Sequence, residues 1–230
     1  MRMRRVGWAV DYLDEAQKLV RDPETHAGKW KELFESRKTE APEAPDTEEA
    51  LPEGVPGRLH VEFGTGKGGY SLDMARLYPE EYFVAVEKND SAAGIAASKY
   101  DAEGPENLRL IWNDARFMDT WFAPEEVDMI HLNFSDPWPK NRNAKRRLSA
   151  DSFLRQYAAI LKPDGKLAMK TDNAALFEYS LLQFSRAGWP LQEISVDFRR
   201  NEHPEDAMTE YERKFTAEGK PIYRAVWRRK

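Results

Sequence analysis

The sequence predicts an α/β fold, a seven-stranded, mostly parallel sheet with helices on both faces. Three observations carry this. From Leu59 onward, short apolar runs of strand length alternate with stretches of helical spacing, the pattern of successive strand–helix–strand units. The first run enters a glycine-rich turn, Gly64-Thr-Gly66-Lys-Gly68-Gly69. An acid also stands at or just past the end of each of the first five strands: Glu62, Glu87, Asp114, Asp136 and Asp172. In such sheets the ligand sits beyond the carboxyl ends of the strands, so these acids are expected to face one crevice.

Taken in order, Leu59 to Phe63 reads as the first strand, and a helix follows from about Gly69 to Tyr78, with Tyr70, Met74 and Leu77 at helical spacing. Tyr82 to Val86 is the second strand, ending at Glu87, and Ser91 is expected to cap a helix running through Tyr100. Leu108 to Trp112 is the third strand and ends on Asn113 and Asp114; Val127 to Leu132 is the fourth. Ser149 is expected to cap the next helix, whose Phe153, Leu154, Tyr157, Ile160 and Leu161 make one apolar stripe. Pro163-Asp-Gly165 turns into the fifth strand, Lys166 to Thr171. A helix from Ala174 to Ala187 stops at Gly188, and Leu191 to Val196 and Ile222 to Trp227 supply the last two strands. Ahead of the sheet, residues 1–35 read as an N-terminal arm with apolar patches at Trp8, Ala9, Tyr12 and Leu13 and at Trp30, Leu33 and Phe34. Residues 36–57, acidic and rich in proline, read as a linker or loop, leaving 58–230 as the main domain.

Bulk composition narrows the class. Hydrophobic residues make up 41% and charged residues 33%, with a mean hydropathy of -0.76. No apolar run approaches the ~18 residues of a membrane span, and the basic start, Met-Arg-Met-Arg-Arg, is not followed by the apolar segment of a secretory signal. The absence of cysteine excludes disulfides, thiolate metal sites and cysteine nucleophiles, and points to a cytoplasmic protein. An NAD oxidoreductase would need a hydride-handling site, for which His26, His60, His131 and His203 form no obvious constellation; they also lack metal-ligand spacing, so no metal is expected.

The most telling stretch is Asn133 to Arg147. An acid, Asp136, lies among prolines and aromatics, where a stiff loop can set it against a flat ring. Lys140, Arg142, Lys145, Arg146 and Arg147 follow without an intervening acid, a pattern suited to phosphates. The net charge of -5 does not oppose this, because at physiological salt the Debye length is about 8 Å and the local run dominates. Chemistry on a nucleic acid base is the implied class.

The glycine turn has three readings. It lacks the spacing of a phosphate-binding P-loop. Gly64, Gly66 and Gly69 satisfy Gly-x-Gly-x-x-Gly, with Glu87 about where a dinucleotide's ribose acid falls. A merely tight turn is the third. Glu62, two residues before the first glycine, tips the balance, since it would repel a pyrophosphate at the helix N-terminus. S-adenosyl-L-methionine carries no phosphate and offers an ammonium, a sulfonium and a ribose that carboxylates can serve.

With these residues in place, the chain resembles the Rossmann-like class I methyltransferases and, more closely, the bacterial tRNA (guanine-N7-)-methyltransferases. The matching segments are Met-Arg-Met-Arg at the start, Glu62 to Gly68, Asn133 to Arg147, Lys170 to Asn173, Leu176 to Ser180, Met208 to Glu212 and Pro221 to Arg224. The resemblance implies methyl transfer from S-adenosyl-L-methionine to N7 of a guanosine in the variable loop of tRNA. It implies cofactor contacts at Glu62, Gly64, Gly66, Glu87, Asn113, Asp114 and Asp136, with Asp136 also placed at the reacting base. It implies substrate contacts at Lys140, Asp172, Thr209, Glu210, Tyr211 and Glu212, and RNA contacts at Arg142, Lys145, Arg146 and Arg147. Phe134 or Trp138 is a candidate to stack on the base, with buried packing the alternative for either. The partners implied are tRNA and no membrane, with the protein a monomer or a homodimer. Two departures stand out: the 36–57 stretch is longer than the family's usual connection, and Asn143 replaces a common histidine. Adenine N6 enzymes fit Asp-Pro-Trp-Pro followed by a basic run poorly, and pyrimidine C5 enzymes need a cysteine. A donor-binding module without turnover is the rival outside enzymes.

Overall fold

In the computed structural model, residues 4–38 and 54–230 are described. Seven strands form one sheet in the order β3-β2-β1-β4-β5-β7-β6. They are β1 (Leu59–Phe63), β2 (Tyr82–Glu87), β3 (Leu108–Trp112), β4 (Val127–Asn133), β5 (Leu161–Thr171), β6 (Leu191–Ser195) and β7 (Tyr223–Arg228). The first five run parallel, while β7 is antiparallel to both β5 and β6. The helices are α1 (Gly7–Tyr12), α2 (Trp30–Lys38), α3 (Gly69–Leu77), α4 (Asp90–Glu103), α5 (Met118–Trp121), α6 (Asp151–Ile160), α7 (Ala174–Arg186) and α8 (Glu210–Ala217).

Strand alternation sorts the side chains into two layers. Leu59, Val61 and Phe63 of β1, Val84 and Val86 of β2, Ile130 and Leu132 of β4, and Leu167 and Met169 of β5 join one core with α2, α6 and α7. Phe83, Ala85, Leu108 and Leu110 face the opposite way and pack with α3 and α4. The apolar stripe expected on α6 is buried along its whole length, from Phe153 to Ile160 and on to Leu161.

The N-terminal residues cover one side of the sheet. Leu19 bridges to Leu110, shielding the outer edge of β3. Asp101 of α4 accepts from the Tyr12 hydroxyl and from the backbone N–H groups of Gln17 and Lys18. The approach of α1 to α4 is so close that a Cβ at Gly94 would stand 1.7 Å from the Ala9 carbonyl oxygen. Trp30 and Phe34 of α2 are fully buried in the larger core. Of the 36–57 stretch read as a linker, residues 39–53 lie outside the described residues, as do Met1 to Met3 of the opening motif.

Three local expectations are corrected. Ser91 does not cap α4: Asn89 does, accepting from Ala92 N–H at 2.9 Å, while the Ser91 hydroxyl accepts from Val6 N–H. Ser149 does not cap α6, whose N-cap is Ala150; its hydroxyl is buried and accepts from Ser180 at 2.7 Å. The fifth strand begins at Leu161 rather than Lys166, because Leu161 pairs with Val127 and pairing resumes at Lys166 with Met129. The Pro-Asp-Gly turn is thus an excursion within β5, and Lys162 in it donates to both oxygens of Asp128 at 2.7 Å.

Candidate functional site

Register brings the strand-end residues to one edge. Glu62 pairs with Ala85 and His131, Glu87 with Trp112, and Asn133 with Lys170. The parallel strands therefore end together, with Asn113 and Asp114 after β3, Phe134 to Asp136 after β4 and Asp172 after β5. The order reverses at β1, flanked by β2 and β4, so the crevice between its two connections is where a ligand fits.

Glu62 is 4% exposed and accepts three hydrogen bonds, from Thr65 and Ser71 hydroxyls at 2.6 Å each and from the Asn133 side-chain amide at 2.8 Å. A carboxylate offers about four acceptor positions, so one is left on Glu62 beyond these three donors. Sequence reasoning missed Thr65, Ser71 and Asn133. The one local signal was their polarity at positions where a loop, a first helical turn and a strand end meet.

The glycine turn is held by β2. Gly64 and Thr65 N–H donate to the Val86 carbonyl, and Gly66 N–H donates to Glu87 Oε2 at 2.9 Å. Gly68 starts α3 in the left-handed region at φ 78°, and a Cβ there would stand 2.5 Å from the Tyr100 hydroxyl. No larger residue fits. Glu87 also accepts from the N–H groups of Lys88 and Asn89. Burial pushes its carboxyl above the ordinary value despite those three donors. Asp114 behaves oppositely. Burial would raise it, but the hydrogen bonds from Arg116 and the nearby charges of Lys88 and Arg116 carry it below the ordinary value. The Asn113 side-chain oxygen accepts from Asp114 N–H.

The loop after β4 is different in kind. Phe134 and Trp138 adopt φ of 50° and 41°, a region costly for residues with side chains. Arg147 staples it, donating to the carbonyls of Pro137 at 2.9 Å and Trp138 at 3.0 Å while lying 4.2 Å over the Tyr179 ring. Asp136 is exposed, as are Lys140, Arg142, Lys145 and Arg146. Arg147 is thus occupied within the loop, and the other cations of the run point to solvent. Trp138 lies beneath Arg146 at 5.0 Å, and Phe134 packs on Tyr211 and Phe215.

The segment 209–212 forms the opposite lip. Thr209 and Glu212 make a reciprocal capping box that starts α8. Glu212 is 0% exposed, and its two oxygens are held by Lys170 at 2.9 Å and Arg199 at 2.9 Å. Thr209 and Glu212 therefore face inward, whereas Glu210 and Tyr211 (57% exposed) face out. A Cβ at Gly69 would lie 3.8 Å from Glu210, so this turn reaches from the glycine loop to Phe134. Asp172 is half-buried at the end of β5, and its charge helps raise Lys220, after the larger influence of Glu218.

Two of the histidines meet in the fold. His60 and His131 are buried and stacked, with ring centroids 5.2 Å apart and Nδ1 of one 2.9 Å from Nε2 of the other. Their 71-residue separation gave no sequence signal.

Comparison with known proteins agrees with this geometry. A family model described as "Putative methyltransferase" matches residues 56–225. The tRNA (guanine-N(7)-)-methyltransferase of Oceanobacillus iheyensis is 40% identical over 225 residues, covering 97% of each chain. That of Bacillus velezensis is 39% identical over 233 residues, covering 100% of this chain and 99% of its own. Among solved structures, the 16S rRNA methyltransferase KamB shares the fold at a TM-score of 0.56 and 17% identity, covering 75% of this chain and 88% of its own. A seven-stranded sheet with this crevice, matched along nearly its whole length by these relatives, belongs to the tRNA (guanine-N(7)-)-methyltransferase family.

Proposed function

We propose that this protein transfers a methyl group from S-adenosyl-L-methionine to N7 of a guanosine in the variable loop of tRNA. The observation that carries the reading is the convergence at one sheet edge of Glu62, Glu87 and Asp114 with the Asp136 loop and the 209–212 turn. S-adenosyl-L-methionine supplies an electrophilic methyl group on a sulfonium. The residues present fit it. Glu62 keeps one acceptor position for an ammonium, Glu87 offers a carboxylate for ribose hydroxyls, Asn113 and Asp114 offer hydrogen-bond partners to an adenine edge, and Gly64 and Gly66 let a ligand approach the backbone.

Guanine N7 presents a lone pair and no proton, so no residue has to act as a base. N7 gives its lone pair to the methyl carbon as the carbon–sulfur bond breaks and its electron pair stays on the departing neutral thioether, so positive charge passes onto the imidazole ring of the base. Asp136 orients that ring and stabilises its charge, an effect that strengthens once RNA excludes water from the loop. Asp172 accepts from the N1 and N2 donors of the guanine edge. Lys140, Arg142, Lys145 and Arg146 take the phosphates, and Arg147 keeps Asp136 in place by stapling its loop. Glu210 and Tyr211 contact the substrate, while Thr209 and Glu212 set the turn that presents them.

The test is transfer of a tritiated methyl group to unmodified tRNA, followed by nucleoside analysis. The expected product is 7-methylguanosine, and Asp136→Asn should lower kcat about 100-fold with little change in stability. Label on another nucleoside, or near-normal turnover in the variant, overturns the assignment.

A further inference from the structure

Behind the site runs a line of buried polar side chains that no step above uses. Glu81, His60, His131 and Tyr70 come from the residue before β2, from β1, from β4 and from α3, and all are buried. His60 Nε2 stands 2.6 Å from Glu81 Oε2, at ion-pair distance though off the line of a good hydrogen bond. His60 Nδ1 is 2.9 Å from His131 Nε2, and His131 Nδ1 is 3.1 Å from the Tyr70 oxygen. The Tyr70 hydroxyl donates to Asp206 Oδ1 at 2.9 Å. Asp206 Oδ2 in turn accepts from Lys170 and Arg199 at 2.6 Å each, the two cations that hold Glu212.

Counting hydrogens gives the inference. Three of the four contacts from Glu81 to Asp206 have hydrogen-bond geometry and need one hydrogen each, and the 2.6 Å approach of His60 Nε2 to the Glu81 carboxylate needs a fourth on Nε2, since lone pairs at these distances repel. Two neutral imidazoles and a phenol bring only three. We propose that this relay holds one further proton, lodged on His60 beside Glu81, and that Tyr70 and Asp206 at its far end are positioning residues that hold the turn carrying Glu210 and Tyr211. The second half rests on the RNA-binding reading of that turn; the first does not.

The surroundings favour this placement. Burial, and then the charges of His60, Lys170 and Arg224, push His131 well below the ordinary imidazole value, so it stays neutral. Burial alone would raise Glu81, but the contact and charge of His60, the Val55 N–H and Arg58 carry it below the ordinary value, so it stays ionised. Burial, followed by Asp206, Glu62 and Glu212, holds the Tyr70 phenol well above its ordinary value, so it keeps its hydrogen. Charged His60 then donates both ways, neutral His131 passes a hydrogen to Tyr70, and Tyr70 donates to Asp206. Without that further proton two lone pairs would face each other at one side of His60.

The first arm of the test reads the protein alone. Histidine labelled with 15N, assigned with His60→Gln, should show His60 as an imidazolium and His131 as the neutral Nδ1–H tautomer near neutral pH. Two neutral rings at about pH 6.5 overturn the relay. The second arm is Tyr70→Phe, which keeps the ring 4.5 Å under the Lys170 amine and removes only the hydroxyl. Its KM for tRNA should rise about five-fold with kcat and the KM for S-adenosyl-L-methionine unchanged. A wild-type tRNA KM in the variant overturns the positioning role, as does a fall in kcat alone. If wild-type protein fails to methylate tRNA, the proposed function falls while the labelled histidines still decide the relay.

Discussion

One face of the sheet is apolar to its centre, while the other carries His60, Glu62, His131, Asn133 and Lys170 on the same central strands. On the first face, α6 and α7 close over Phe63, Ile130, Leu167 and Met169, and Phe184 of α7 stacks 3.9 Å from Trp227 of β7. On the second, α3 and the segment leading into α8 close over the polar residues, and nearly every buried charge there has a named partner. The difference teaches where each kind of energy is used. Apolar burial stabilises without direction, whereas paired buried charges cost desolvation and give little net stability but fix geometry. This chain places the second kind directly beneath the edge where its ligands meet.

Three perturbations would break or sharpen that contrast. The largest effect on stability is expected on the apolar face, where Phe184→Ala should cost about 3–5 kcal/mol in denaturant unfolding yet leave kcat of the folded enzyme within about two-fold. A comparable loss of kcat would mean that the two faces are not separable in this way. Next, Glu62→Ala strands the Thr65, Ser71 and Asn133 donors and should cost about 2–3 kcal/mol, with binding of S-adenosylhomocysteine lost by calorimetry. Retained binding would remove Glu62 from the cofactor site. The smallest effect distinguishes neighbours in one basic run. Lys145→Ala or Arg146→Ala should each flatten the salt dependence of tRNA binding by about 0.7–0.9 log units per tenfold salt, while Arg147→Lys should leave that slope and lower kcat through its loop. Equal slopes for all three would contradict the stapling role of Arg147.

Much of this was legible in the chain. The strands from Leu59 to Trp112 fall where period and turn chemistry put them, because their apolar runs are short and sharply bounded. The start of β5 was misplaced because Pro163 and Gly165 read as a boundary. Leu161 nonetheless pairs with Val127 across a local break in register. Both serine caps were misread for a similar reason. Ser91 and Ser149 are valid capping residues by type, but their hydroxyls are consumed by Val6 and Ser180, far off in sequence. Thr209 and Glu212 illustrate the same limit at the site. The motif marked them, yet the fold turns them inward and leaves Glu210 and Tyr211 at the surface.

By itself the sequence determined the strand order along the chain, the left-handed glycine turn and the succession of acids at strand ends. All of these depend on residues near one another, through backbone sterics and period-2 burial. Only the tertiary structure decided which acids remain open to a ligand and which are consumed. Satisfying a buried charge takes donors from distant positions: Asn133 reaches Glu62 across 71 residues, and Lys170 reaches Glu212 across 42. A local pattern can say that a carboxylate is present, but its free lone pairs depend on what folding brings beside it.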